Sequence, residues 1–188
     1  HVLSVSLSSK LAVFSGNVTF WPVDATLDNY RFVMRDSQFF RAYGVTLVRV
    51  AIGWAISMTL LVLAGYPLSL PRDRFGGKNI FTWFFVFTML FNGGMIPTYL
   101  IVKSTGLIDT IWALVIPGSL STFNLILMMN YFKTLPSALY EAAYIDGADH
   151  MTTLIKIVLP LSLPALASIS LFVIMGHWND YFSGMIYI

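Results

Sequence analysis

Four intervals of the chain carry no Asp, Glu, Lys or Arg: 22 residues between Arg49 and Arg72, 24 between Lys78 and Lys103, 23 between Asp109 and Lys133, and 23 between Lys156 and Asp180. Their apolar residues form long continuous runs rather than alternating with polar ones. A helix needs about 20 mostly apolar residues to cross the roughly 30 Å hydrocarbon layer, whereas a barrel strand shows about ten in alternation. The pattern predicts an all-α, polytopic helical membrane protein with four transmembrane helices, over residues 43–68, 80–102, 110–132 and 159–178. An extracytoplasmic or interfacial segment, 1–42, is expected before the transmembrane core, 43–188, and a loop over 134–158 separates the last two spans.

Within 1–42, the apolar stretch from Leu11 to Val23 is too short to span and is broken by Ser15-Gly16-Asn17. Trp21, Tyr30, Phe32, Phe39 and Phe40 alternate with Asp and Arg, which suits a membrane–water interface. Asp28-Asn29-Tyr30 is expected to open a short helix, because Asp and Asn accept from the free amides of a helix start. Pro67 and Pro71 are expected to end the first span, since proline lacks the amide a helix interior needs. Arg49, near its other end, is read as a snorkelling or bundle-facing side chain.

The remaining spans contain backbone-breaking and polar residues. Asn92-Gly93-Gly94 and Pro97 predict a kink or break in the second, either for packing or as a wall of a substrate pathway. The third span carries Pro117-Gly118, Asn124 and Asn130 among its apolar residues, and the fourth includes Pro160 and Pro164. Polar side chains at this depth should face other helices, as interhelical glue or as ligand contacts. On these grounds Asn92, Gly93, Gly94, Tyr99, Asn124, Trp178 and Asn179 are the candidate substrate-pathway residues, near an interface with a second subunit.

Composition narrows the function classes. The 188 residues are 57% hydrophobic and 11% charged, against about a quarter charged in an ordinary soluble domain. With no cysteine and with His1, His150 and His177 far apart, no metal-ligand spacing exists. A net charge of +2 with scattered basic residues gives no support to nucleic-acid binding. Gly77-Lys78 lacks the first glycine and the Ser/Thr of a phosphate loop, which leaves no recognisable ATP site. No carboxylate pair or Ser-His-Asp set suggests an enzyme, and the four intervals hold no acidic residue for an ion-coupled transporter. Lys and Arg divide five against five between the two sides, with a weak preference for 72–78 as cytoplasmic.

The loop 134–158 is the most informative segment. Pro136 suits a first helical turn, and Ala138, Leu139, Glu141, Ala142 and Ala143 favour helix. Leu135, Leu139, Ala142 and Ala143 are expected to share an apolar side flanked by Tyr140 and Glu141. Gly147 suits the left-handed residue beyond a helix end, after which a second helix should lead through Ile157 to Leu159-Pro160. The result is a short, rigid peg on a membrane span.

Glu141-Ala142-Ala143, Asp146-Gly147 and Ile157-x-Leu159-Pro160 resemble the EAA signature of permease subunits of binding-protein-dependent ABC importers, in the form typical of carbohydrate (maltose-type) importers. The segments 87–99 and Gly176-His177-Trp178-Asn179-Asp180 resemble the branch that imports complex oligosaccharides. At Gly44 the chain departs from that family, which often has Asn there. The resemblance implies a six-span permease of which this chain is a fragment, with further spans before His1 and after Ile188. It also implies a bacterial plasma-membrane location, a cytoplasmic EAA helix and outward-facing ends. The implied partners are a second homologous permease, a cytosolic ABC ATPase dimer, an extracytoplasmic solute-binding protein, sugar and lipid. ATP and Mg would sit on the ATPase subunits and no cofactor on this chain. Glu141, Ala142, Ala143, Asp146, Gly147, Ile157, Leu159 and Pro160 would couple ATP hydrolysis to transport. A permease of the same superfamily for another solute is the nearest alternative.

Overall fold

The computed structural model describes residues His1–Ile188 and is helical throughout, without strands. Its Cα packing divides it into two units, His1–Leu47 and Val48–Ile188.

The first unit holds α1 (Val2–Ser6), α2 (Lys10–Phe14), α3 (Asp28–Arg35) and the start of α4 (Ser37–Ser69). Helix α2 stops at Ser15-Gly16, where Gly16 takes a φ of 70°. Between helices the backbone is held by short side chains. The Ser4 hydroxyl donates to the Phe20 carbonyl at 2.6 Å, and the Asn29 amide donates to the carbonyls of Ser6 and Ser8 at 3.2 and 3.1 Å. Phe14, Phe20 and Trp21 remain exposed.

Helix α4 is the axis of the second unit. Its 33 residues rise about 50 Å, and it alone is long and apolar enough to cross a membrane unaided. It passes through Pro67 and ends at Ser69, one residue beyond the expected end of the span. The Lys78 ammonium donates to the carbonyls of Leu70 and Ser69 at 2.5 and 3.5 Å, placing a cation where the end of a helix is electronegative.

The other expected spans are not single helices. The second is α5 (Lys78–Leu90) and α6 (Met95–Ser104), bent by 114° at a break where Gly94 adopts a φ of 85°. The third, expected over 110–132, is corrected to α7 (Ile111–Val115) and α8 (Thr122–Thr134). Pro117-Gly118 lies in the gap, and the Ser121 hydroxyl restarts the helix by accepting from the Asn124 amide at 3.5 Å. Then come α9 (Ser137–Ile145), α10 (His150–Thr153), a π-helical turn (Leu154–Val158), α11 (Leu159–Leu161), α12 (Leu163–Asn179) and α13 (Tyr181–Tyr187). The helix through Leu161 meets α12 at 83°. Pro160 and Pro164 supply no amide to the preceding turn, which accounts for the widened turn and the bend. Each bent pair reaches membrane-spanning length and hydropathy only when taken together.

Packing follows one row on α4. Arg49, Gly53, Ser57, Leu61, Gly65 and Ser69 recur every fourth residue and are all buried. The small ones admit neighbours closely. A Cβ on Gly53 would lie 2.5 Å from His177 Nε2 on α12, and one on Gly65 would lie 3.1 Å from Met128 Cγ on α8. Leu61, Leu125, Met128, Phe132, Val158 and Ile169 complete the main core. A second cluster joins α6, α7 and α13 through Val102, Ala113, Leu114 and Tyr187, with Tyr99 stacked on Tyr187 at 6.3 Å.

Gly53→Ala should therefore destabilise the fold more than Gly65→Ala, by about 1–3 kcal/mol for an overpacked site. Thermal unfolding of the detergent-solubilised protein measures both, and equal midpoints would contradict the ranking.

Candidate functional site

Two regions carry the sequence-predicted residues, and both lie in the second unit. The first is the helix α9 with the chain around it. Pro136 directly precedes α9, and the Tyr140 hydroxyl donates back to the Phe132 carbonyl of α8 at 3.3 Å. Ala143 is buried and Leu135 and Leu139 are half-buried, on the expected inner side, whereas Ala142 is exposed. Tyr140 also turns inward, because its ring packs against the core while its hydroxyl reaches the Phe132 carbonyl, which it shares with the Leu135 amide.

Helix α9 ends through a Schellman motif. Gly147 has a φ of 75°, its amide donates to the Tyr144 carbonyl at 3.1 Å, and the Ala148 amide donates to the Ala143 carbonyl at 2.9 Å. Asp149 then opens α10 by accepting from the Thr152 amide at 3.0 Å. Hydrogen bonding from Thr152 holds the Asp149 carboxyl below its ordinary value.

Glu141 is exposed, at the rim of a hollow of about 320 Å³ that Asp73, Arg74 and Lys133 also line. Arg74 places its guanidinium 5.6 Å over the ring of Tyr144, which ties the 72–78 loop to α9. This tie was not anticipated from sequence. Asp146 caps α9 and is exposed. Ile157 lies in the π-helical turn and Leu159 and Pro160 in α11, so these three stand on the following helix rather than on α9.

The second region is a cavity of about 610 Å³ between the middle of α4, the α7–α8 break and the end of α12. Of the expected pathway residues, only Asn124 lines it, while Tyr99 stacks on Tyr187 at its wall. Asn92, Gly93 and Gly94 are exposed at the α5–α6 break, with the Asn92 side-chain oxygen accepting from the Gly94 amide at 2.9 Å. Trp178 and Asn179 are exposed at the end of α12. The structure thus does not gather these residues into one wall.

Sequence reasoning allowed a bundle-facing Arg49 but missed its partners. Arg49, only 5% exposed, faces the bundle and pairs with the Asp180 carboxylate. Its guanidinium also donates to the carbonyls of Asp180 at 2.7 Å and Leu114 at 3.3 Å. Ser57 and His177 line the cavity too. The four-residue spacing of Arg49, Gly53 and Ser57 was the available signal, since it places all three on one face of α4.

Residues 77–187 match the family described as "Binding-protein-dependent transport system inner membrane component". The whole chain is 43% identical to a polygalacturonan/rhamnogalacturonan transport system permease protein of Bacillus subtilis, covering 65% of that protein. It is 34% identical to a maltodextrin transport system permease protein of the same organism, over 96% of this chain and 66% of the relative. Among solved structures, a bacterial ABC transporter involved in the import of the acidic polysaccharide alginate superposes with a TM-score of 0.93 at 37% identity. That alignment covers 100% of this chain and 66% of the other. The chain therefore spans about two thirds of the length of the proteins it matches.

Asp149 provides a pH test. Because its folded pKa is depressed, its capping contribution is complete above the ordinary Asp value of about 3.9 and is lost as pH falls through the lower folded value. Amide exchange at Thr152 should show reduced protection across that window, and Asp149→Asn should retain the cap while abolishing the pH dependence. Unchanged dependence in Asp149→Asn would exclude Asp149 as the titrating cap.

Proposed function

The chain belongs to the family of binding-protein-dependent transport system inner membrane components, and from that membership we propose that it is the permease core of an ATP-driven importer of sugars or oligosaccharides. The relatives named for polygalacturonan/rhamnogalacturonan, maltodextrin and alginate support carbohydrate as the substrate class. In this reading the chain lies in the bacterial plasma membrane as a multi-pass subunit beside a second, homologous permease. An extracytoplasmic binding protein delivers sugar, and a cytosolic ATPase dimer holds ATP and Mg.

The observation that carries the proposal is helix α9. It is exposed on its Glu141 side, anchored on its Tyr140 and Ala143 side, and closed by Gly147 in a left-handed turn. A peg of this kind transmits displacement without deforming. Glu141 would pair with a basic group of the ATPase, a charge-assisted contact stronger than a neutral one. Ala142 would lie against that partner, and Ala143, Asp146 and Gly147 would fix the shape and angle of the peg. Ile157, Leu159 and Pro160 would carry its motion into α12. Asn92, Gly93, Gly94, Tyr99, Asn124, Trp178 and Asn179 are proposed to lie along the sugar route or against the second permease.

Glu141→Ala should preserve membrane insertion but lower sugar-stimulated ATP hydrolysis at least tenfold, because truncating one member of a buried interfacial charge pair costs about 2–5 kcal/mol. Gly147→Val should do the same by opposing the left-handed turn, at about 1–2 kcal/mol. The variants are co-purified with the ATPase, and assembly and stimulated hydrolysis are measured. Normal assembly with normal stimulated hydrolysis in both variants would overturn the coupling role of α9.

A further inference from the structure

The cavity beside Arg49 has an unusual lining for its depth. Ser57, Asn124 and His177 are 2%, 7% and 8% exposed, and the side chains of all three find no hydrogen-bond partner within the chain. Their polar atoms are not sealed off but open to the cavity, where a ligand or water can partner them. All three border the same volume of about 610 Å³, within the range of small-molecule sites. The rings of Phe123 and Phe172 also line it.

Charge narrows the ligand. Arg49 does not line the cavity; its terminal nitrogens are held by the Asp180 carboxylate and by two carbonyls, and its unpartnered Nε is buried out of reach of a ligand's acidic group. Asp180 lines the cavity, but its charge is met by Arg49, so the lining offers a ligand's carboxylate no free cation. What remains is a set of neutral donors and acceptors at several angles together with aromatic faces. That combination suits a molecule with hydroxyls on its edge and C–H groups on its face.

We propose that this cavity is a sugar-binding site within the subunit itself, in which Ser57, Asn124 and His177 hydrogen-bond the hydroxyls of a sugar ring and Phe123 or Phe172 covers its face. The site reads ring hydroxyls, not a uronate carboxylate. This deepens the importer reading and rests on it. It also moves the sugar contact away from the exposed Asn92–Gly94 break and onto α4, α8 and α12.

The absence of cysteine from these 188 residues makes a labelling test direct. Ser57→Cys, Asn124→Cys and, as an exposed control, Ser168→Cys are made in the full-length permease with any cysteine elsewhere replaced. The intact transporter in nanodiscs is treated with a small maleimide, with and without nucleotide, in the presence of maltotriose or trigalacturonate. Sugar uptake by the unsubstituted transporter is measured in parallel.

The expected result is labelling of Ser57→Cys and Asn124→Cys that an imported sugar slows at least fivefold, with Ser168→Cys unaffected. Import of either sugar without protection at the two cavity positions would overturn the site and leave the importer reading standing. Failure of maleimide to reach either position in any state would show that protein fills the cavity, and would overturn the site as well. If the unsubstituted transporter imports neither sugar and neither sugar protects, the carbohydrate reading falls and the site with it. Ser57→Cys exchanges one small side chain for another, so labelling at that position reports on the native packing.

Discussion

Close approach along one face of α4 holds the second unit together. In lipid, apolar burial between helices gains little, since acyl chains are as apolar as leucine, and association depends on fit and on satisfied polar groups. The row Arg49, Gly53, Ser57, Leu61, Gly65 and Ser69 meets both demands. Gly53 admits the His177 ring, Gly65 admits Met128 and Phe132, and Arg49 reaches the far end of α12. Larger residues along this row would separate α8 and α12 from α4 and open the main core.

The Arg49–Asp180 pair shows how polarity is accommodated inside such a bundle. A lone buried guanidinium would be prohibitively costly, but here it meets a carboxylate and two backbone carbonyls, at the break after α12 and in α7. Irregular backbone at depth is tolerated only against protein or a watery cavity. The turn after Asn179 satisfies that condition through Arg49, and the α7–α8 break borders the cavity instead. The same few residues thus hold three elements in register and leave Ser57, Asn124 and His177 facing open volume.

Much of this was legible in the chain. The charge-free intervals disclosed an all-helical membrane fold, Asp28 opened the expected short helix, and Gly147 stood in the left-handed turn assigned to it. What could not be read was which punctuation would win. Pro117-Gly118 split one interval into two helices, while Pro67 was absorbed in the last turn of α4. The difference lies in the surroundings: Ser121 offers a hydroxyl to restart a helix, whereas the end of α4 is held by Lys78. Side-chain partnerships across long separations were equally hidden. Arg49 and Asp180 are 131 positions apart, and no local pattern links them. Ala142 faces outward and the flanking Tyr140 turns inward, its hydroxyl reaching a carbonyl at the end of α8, a fact set by tertiary placement.

The joint between α9 and α10 bears on mechanical compliance. Between Ile145 and His150 the chain has only Asp146, Gly147, Ala148 and Asp149. Each of these is occupied: Asp146 and Gly147 close one helix, Ala148 bonds back to Ala143, and Asp149 caps the next. So short and fully bonded a connection has almost no slack to take up. A load applied to α9 is therefore not dissipated as loop entropy but passes into α10, and the first place it can be absorbed is the π-helical turn at Leu154–Val158. The joint behaves as a stiff elbow, and the widened turn beyond it is the spring.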